Sequence, residues 1–517
     1  MPKPADLLRA IPLPALALLS ACTVGPDFAH PAPWWNPTSW RGTGQNSAQA
    51  VSQPVAEPVD PRWWTLFNDL TLTGLEQRLA EANLDVRVAS LRLAEARASV
   101  GVAQAAALPS VNGNSSYTRQ QLSRKGALSL VNSGTAASQA NGASQPQNGA
   151  EVPNTGIFQP FDLFQYGFDA SWEADIWGRV RRSVESAQAS ADAGEDARRD
   201  TLLTAAAELA RDYIQLRGVQ RNLDITRQNL DIAQQSLNLT RERAEGGLGT
   251  DLDVATAAAQ VDTTSAQLPT LEAQQAQLIN AVGQLLGEKP AALTADLADP
   301  KAIPPVPPRV PVGLPSELAR RRPDIRRAEA QLHAATADVG VAVGDFYPRF
   351  SLSGSAAIQG LQFSNLGDLG HAFTYAVGPS ISVPIFEGGR LTRMLELRQA
   401  QQQEAVVTYQ RTVLGALHEV DNALTAYQAE QRRRDQLQQA VAQNRRALAL
   451  ARDRYTQGVI DFLQVLDVQR SLLAAEQQLT DSTTTVSTDL VQIYKALGGG
   501  WETDFPAPPA SAKRAAL

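Results

Sequence analysis

The sequence predicts a mixed α and β membrane protein, internally duplicated, with four transmembrane β-strands per chain and a long coiled-coil barrel of helices. Three observations predict it. The 517-residue chain says nearly the same thing twice, each copy running helix, strand pair, very long helix, helix. Four segments alternate apolar and polar residues over about the length a tilted strand needs to cross a bilayer. Leucines recur at every seventh position through a stretch far longer than a globular core requires.

The copies register at constant offsets. Val100-Gly101 and Pro109 recur as Val339-Gly340 and Pro348, a shift of 239. Arg241, Arg243, Gly247, Leu252, Val254 and Gly287 recur as Arg452, Arg454, Gly458, Leu463, Val465 and Gly498, a shift of 211. The shift drops because the first copy carries a Ser-, Asn-, Gly- and Gln-rich insertion, residues 126–154, between its two strands. Such an insertion suits an extracellular loop.

Composition excludes several classes. Net charge is −7, and no basic run or aromatic-basic interleaving suggests nucleic acid as a partner. Four scattered histidines and a single cysteine are too few for a metal site or thiol catalysis. No G-x-x-x-x-G-K-[ST] loop is present, so nucleotide-driven work is not expected, and no catalytic constellation supports an enzyme. No cofactor is called for.

At the N-terminus, Lys3 and Arg9 precede a short apolar stretch, Ala10 to Ala21, too short for a spanning helix and laid out as a signal peptide. It ends Leu19-Ser20-Ala21-Cys22, which resembles the bacterial lipobox. That resemblance implies a covalent lipid on Cys22, the chain's only cysteine, and Thr23 in the next position implies sorting to the outer membrane. Trp34-Trp35 and Trp63-Trp64 read either as membrane-interface anchors or as packing residues of the N-terminal segment.

A helix is expected from Leu72 to Ala107, followed by a weak Asn/Ser-rich strand, Val111 to Tyr117. The second strand sets Tyr166, Phe168, Ala170, Trp172 and Ala174 against Asp169, Ser171, Glu173 and Asp175. The third sets Phe350, Leu352, Gly354, Ala356 and Ile358 against Ser351, Ser353, Ser355 and Gln359. The fourth sets Phe373, Tyr375, Val377, Ile381 and Val383 against Thr374, Ser380 and Ser382. A soluble sheet with one wet face would alternate in the same way. Aromatics near the strand ends and the N-terminal address favour lipid.

Four strands cannot close a barrel, since bacterial barrels begin at about 8. An open edge in hydrocarbon would leave backbone groups unpaired at several kcal/mol each. The barrel must therefore be shared; two chains would give eight strands and three would give twelve.

Between Trp177 and Ala244 no proline occurs, and Leu202, Leu209, Leu216, Leu223, Leu230 and Leu237 hold the seven-residue period. The copy answers with Val413, Val420, Tyr427, Arg434, Val441 and Leu448. This is a left-handed coiled coil, roughly 100 Å long at 1.5 Å per residue. Each rod reverses at a Gly-containing tip, Glu245 to Gly249 or Gln457 to Ile460, and returns along Asp251 to Leu286 or Asp461 to Leu497. The second copy opens with a helix from Ser316 to Gly344. Repeated around an axis, such hairpins make a hollow cylinder continuous with the strands. Gly247 and Gly458 are the tip residues, since a tight reversal needs positive φ.

The chain resembles a known family at several places: Cys22-Thr23-Val24-Gly25-Pro26-Asp27-Phe28, Trp172-Glu173-Ala174-Asp175-Ile176-Trp177-Gly178-Arg179 and Arg322-Pro323-Asp324-Ile325. Phe346-Tyr347-Pro348-Arg349-Phe350, Pro384-Ile385-Phe386-Glu387-Gly388-Gly389-Arg390 and Leu497-Gly498-Gly499-Gly500-Trp501 continue the match. These residues are similar to the TolC-like outer membrane factors, in the NodT-type lipoprotein branch that serves resistance-nodulation-division (RND) efflux pumps. The resemblance implies a homotrimer with a 12-stranded β-barrel in the outer membrane, set on a periplasmic α-helical barrel. It implies as partners a periplasmic adaptor and an inner-membrane RND transporter.

The resemblance also divides the chain: signal peptide 1–21, lipidated segment 22–60, repeat 61–290, Pro-rich linker 291–315, repeat 316–500 and tail 501–517. It places a periplasmic gate just past the helical tips, at Asp467, Gln464, Asp253 and Tyr455. Gln464 stands where the best-known relative is acidic and Ile460 where it is basic, so a single ring of Asp467 is expected rather than a double charged ring. Carboxylates crowded on an axis repel one another and attract cations. From position alone, Asp467 and Asp253 are equally read as solvated acids near helix starts, favoured by the helix dipole. Gly247, Leu248, Gly458 and Val459 form the surface an adaptor would meet.

The function these readings imply is a passive efflux duct across the outer membrane. The alternatives are the outer channel of a type I protein secretion system and, from another class, a lipid-anchored periplasmic coiled-coil scaffold.

Overall fold

A computed structural model describes residues 23–32, 40, 52–121 and 160–502. Cys22, the signal peptide, Trp34-Trp35, the insertion at 126–154 and tail residues beyond 502 lie outside the described residues. The chain divides into two compact units, each drawn from both copies: one from residues 23–27, 101–121, 160–185 and 337–398, the other from the rest of the described chain.

The first unit holds the expected strands, as β2 (Ser110–Gln120), β3 (Phe161–Ala174), β5 (Arg349–Gly360) and β6 (Phe373–Ser382). The short strands β1 (Gln53–Val55) and β4 (Arg309–Pro311) make a parallel ribbon in the second unit, which the sequence reading did not anticipate. The larger sheet is antiparallel throughout, in the order β2-β3-β5-β6. Its register sets Phe168 beside Gly113 and Ala356, and Ala356 beside Tyr375, so the apolar sets of all four strands share one face. Asp169 stands between Asn112 and Ser355 on the other face. Phe168 is 66% exposed and Tyr375 75% exposed, so the apolar face is bare in the single chain. Aromatics close the strand ends: Tyr117 meets Phe164 at 4.9 Å, and Trp177 meets Tyr347 at 4.9 Å while donating to the Pro348 carbonyl. Pro379, which lacks a donor, lies on edge strand β6.

Apart from three helices of four residues each, the α-helices among the described residues are α1 (Leu70–Ala82), α2 (Leu84–Ala105), α3 (Arg179–Glu245), α4 (Asp251–Ser265), α5 (Gln267–Leu285), α6 (Pro323–Gly344), α7 (Arg390–Thr456) and α8 (Phe462–Leu497). The two rods α3 and α7 are 67 residues each, as the uninterrupted heptads require. Leu202, Leu209, Leu216, Leu223 and Leu237 are buried and Leu230 half-buried; in the copy Val413, Val420, Tyr427, Val441 and Leu448 are buried. Arg434, the polar interruption, is half-buried and pairs with Asp435 at 3.0 Å.

Three expected helices are broken, each for a local reason. Leu72 to Ala107 splits at Asn83, whose side-chain oxygen accepts from Val86 N–H (3.0 Å) and so starts a new helix. The return helix from Asp251 splits before Gln267, because Pro269 lacks the N–H that would continue α4 and its ring meets the preceding turn. The segment from Ser316 breaks at Arg322, with Pro323 taking the first position of α6. The copy α8 has no proline and runs unbroken.

The second unit carries the main core, built from both copies. Trp63 is fully buried, stacks on Tyr494 at 5.5 Å and donates to the Gly499 carbonyl. Trp63-Trp64 therefore packs inside rather than anchoring in an interface. The Arg-Pro-Asp and Gly-Gly-Gly motifs meet here: the Arg322 guanidinium donates to Asp324 (2.8 Å), Glu419 (2.8 Å) and the Ala496 carbonyl (2.6 Å). A Cβ at Gly498 would lie 2.9 Å from Arg322 Cα, and Gly498 holds φ +72°, so only glycine fits that junction.

Glu76 on α1 is the anomaly of this core. It is buried with both carboxylate oxygens unpartnered, and burial alone pushes its carboxyl well above the usual carboxylate range. The folded state thus holds a proton that the unfolded chain releases near its ordinary value, so stability is fullest below that value and falls as pH rises toward the folded one. Glu76→Leu should raise stability by about 1–3 kcal/mol at neutral pH, the usual cost of a buried unsatisfied polar group. The gain should shrink as pH falls toward the ordinary carboxylate value and level off below it, read by thermal melts across pH.

Candidate functional site at the helical tips

Both tips reverse by the same device. Gly247 holds φ +74° after α3 and Gly458 φ +76° after α7. Leu248 N–H returns to the Arg243 carbonyl (2.8 Å) and Val459 N–H to the Arg454 carbonyl (2.9 Å), satisfying carbonyls that a helix end otherwise leaves unpaired. A Cβ at Gly247 would meet nothing, so the backbone conformation alone requires glycine there. Leu248 (73%) and Val459 (66%) stand exposed on the two turns, with Leu252 and Leu463 exposed one turn further on. The four residues expected to meet an adaptor thus occupy matched places on two tips.

The candidate gate residues separate into three situations. Asp253 is engaged: its carboxylate accepts from Thr250 N–H (3.1 Å) and Thr250 hydroxyl (2.8 Å), while its own N–H donates to Thr250 Oγ1 (3.2 Å), a capping box that starts α4. Gln464 and Asp467 are exposed one turn apart on α8, their side chains without a hydrogen-bond or ionic partner among the described residues. Tyr455 is buried and packs against Phe462 at 5.8 Å.

The residue missed by the sequence reading is Arg243. From the first hairpin it reaches the end of α7 in the second, donating to the Tyr455 carbonyl (2.6 Å) and the Thr456 carbonyl (3.3 Å), with its guanidinium 4.6 Å from the Tyr455 ring centre. A cation placed on the last carbonyls of a helix meets the negative end of its dipole. Its copy Arg454 is exposed. The offset pair Arg243/Arg454 was visible in the sequence, but not that one member crosses between hairpins. Arg452 crosses in the opposite direction, from α7 to the Ile232 carbonyl of α3 (3.4 Å), and burial lowers its guanidinium from the ordinary arginine range.

Next to the candidate lipidation site, residues 23–27 are seated in the first unit. Val24 N–H donates to the Trp177 carbonyl (3.1 Å), and Arg182 holds Asp27 and the Val24 carbonyl (3.3 Å). A Cβ at Gly25 would lie 2.5 Å from Gly340 Cα, a glycine-on-glycine contact that no side chain could share. Among the described residues no cluster could hold a metal, and no helix is long and apolar enough to cross a membrane.

An open antiparallel sheet with one bare apolar face, carried by a chain of paired long hairpins, defines a membrane-channel subunit of the shared-barrel class. The chain matches the outer membrane efflux protein family over residues 75–288 and 314–499, and it belongs to that family. It is 33% identical over 496 residues to the pyoverdine export outer membrane protein OpmQ of Pseudomonas aeruginosa, covering 95% of this chain and 97% of that one. It is 30% identical over 500 residues to the solvent efflux pump outer membrane protein SrpC of Pseudomonas putida, covering 95% and 98%. The solved outer-membrane channel OprN superposes with a TM-score of 0.80 at 33% identity, covering 93% of this chain and all of that one. The fold class expected from the sequence therefore stands: a four-stranded antiparallel sheet and paired long helices in the fold of an outer-membrane channel. The protein is an outer-membrane efflux channel subunit, and its relatives are transport proteins by name.

If Arg243 ties the hairpins, Arg243→Ala should free the second tip. Hydrogen exchange of the amides between Gly458 and Gln464 should speed by about tenfold or more, given ~1.5–3 kcal/mol for hydrogen bonds to a charged group. The core of α8 should be unaffected.

Proposed function

We propose that the chain works as the passive exit duct of a tripartite efflux pump, as a homotrimer whose free energy comes from an inner-membrane RND transporter. The observation that carries this reading is the sheet whose two edges, β2 and β6, are unpaired among the described residues and whose apolar face is bare. In hydrocarbon each open edge would strand a row of backbone donors and acceptors, so the strands require neighbours of the same kind. Exposed apolar residues on α2 (Leu84, Val88, Leu91) and α7 (Val406, Val407, Leu414) support further contact between copies along the helices.

The exposed apolar tips around Leu248 and Val459 are offered to a periplasmic adaptor. The resting gate is Asp467 with Gln464, on the tip surface that has no internal partner. A lipid on Cys22 would sit beside a seated segment, residues 23–27, and so fix the anchor at the base of the sheet. Substrate selection belongs to the pump, since a wide solvated duct discriminates little.

Purified protein in planar bilayers should give discrete, steady currents, and a scaffold without a pore would give none. Asp467→Ala should raise conductance or the leakage of added antibiotics into cells; unchanged conductance with intact trimers would remove Asp467 from the gate.

A further inference from the structure

The polar face of the four-stranded sheet is almost uncharged. From β2 it carries Ser110, Asn112, Asn114 and Ser116, and from β5 and β6 a band of serines in which Ser351 and Ser380 bond at 2.7 Å. Three residues on this face bear formal charge. Glu173 is neutralised by a two-pronged pair with Arg179 (2.9 and 3.0 Å), and Arg349 by Asp345 at 2.7 Å. Asp169, in the middle of β3, is exposed and has no ionic partner among the described residues. Its neighbours across the ladder are Asn112 and Ser355, and the Asn114 amide donates to its carboxylate. That hydrogen bond ties the carboxylate to the neighbouring strand β2 on the same face.

We propose that Asp169 sets the ion preference of the β-barrel, so that the lumen favours cations and cationic solutes over anions. The inference rests on the reading that the polar face lines a lumen shared by three chains. It adds that, among the described residues, this face carries one unbalanced charge per chain, at one height, against a neutral hydroxyl and amide background. No bound ion is implied. The effect is a field, and a field from the wall of a wide barrel reaches the axis only when screening is weak. The Debye length is about 30 Å at 0.01 M salt and about 3 Å at 1 M, so the preference should appear in dilute salt and vanish in concentrated salt.

The test is the reversal potential of the full-length protein in planar bilayers under a potassium chloride gradient, in dilute and in concentrated salt. In dilute salt the native channel should prefer potassium. Asp169→Asn should lower the potassium-to-chloride permeability ratio at least twofold, and Asp169→Lys should carry it below one. Asp169→Ser, which gives the position the residue type common on that face, should match the Asn variant and guards against a folding defect peculiar to either change. All variants should converge in concentrated salt. Channels of normal conductance whose preference is the same with Asp, Asn and Ser would overturn the assignment while leaving the duct reading intact. Absence of any channel from the native protein would bring down the duct reading and this inference with it.

Discussion

The structure depends on the unpaired edges of one sheet. Strands β2 and β6 each offer about ten residues of backbone with no partner among the described residues, beside a face of exposed aromatic and β-branched side chains. Water would satisfy those groups and reject the face; hydrocarbon would accept the face and leave the groups unsatisfied. Neither solvent suits a single chain. Pooling sheets resolves both demands, because neighbouring copies supply the ladder while lipid covers the apolar side. The long helices follow from the same demand: a shared barrel is only useful as a duct if the chains stay associated beyond the bilayer, and two 67-residue rods per chain give them the surface to do so.

Packing in the second unit shows how two copies of one pattern become one body. The middle stretches of α3 and α7 meet in one core, with Tyr213, Leu216, Val413, Val420 and Tyr427 all in it, while Leu237, Val441 and Leu448 join a second cluster nearer the tips. Motifs distant in sequence close it. Arg322 ties the start of α6 to α7 and to the last turn of α8, and Gly498 leaves room for it. Trp501 then lies between the guanidinium groups of Arg199 (4.8 Å) and Arg326 (5.5 Å) and donates to the Arg321 carbonyl. Polar motif residues here hold the halves in register where apolar contact alone would allow them to slide.

Much of this was legible beforehand because periodicity is a property of the chain itself. The leucines from Leu202 to Leu237 and the alternation through Tyr166 to Asp175 identified rods and strands without reference to any neighbour. What escaped depends on single residues acting locally or at a distance. Pro269 and Pro323 end helices within an otherwise helical pattern, and a reading weighted to periodicity ran through both. Asn83 breaks α1 from α2 only because its side chain serves α2 and also reaches the Leu285 carbonyl, a residue two hundred positions away. The β1–β4 ribbon is three residues a side and is held by Gln431, which both donates to and accepts from the backbone of Ser52; nothing in either strand's sequence announces that.

The tips carry this furthest, since they are where equivalent positions stop behaving alike. Were the repeat used only as scaffolding, residues 211 apart should keep the same surroundings. Arg243 inserts between hairpins while Arg454 faces outward. Thr250 and Asp253 cap α4 reciprocally, whereas Asp461 begins α8 without a side-chain cap and Gln464, at the position of Asp253, is free of that duty. The first tip thus spends its carboxylate on its own helix, and the second keeps Gln464 and Asp467 exposed. Releasing the Asp253 carboxylate from its capping box would leave the Thr250 N–H and hydroxyl without their acceptor, a cost that Gln464 does not carry. Arg243 on the carbonyls of Tyr455 and Thr456 and Arg452 on the Ile232 carbonyl tie the two hairpins together, so the tips differ in which side chains each leaves exposed.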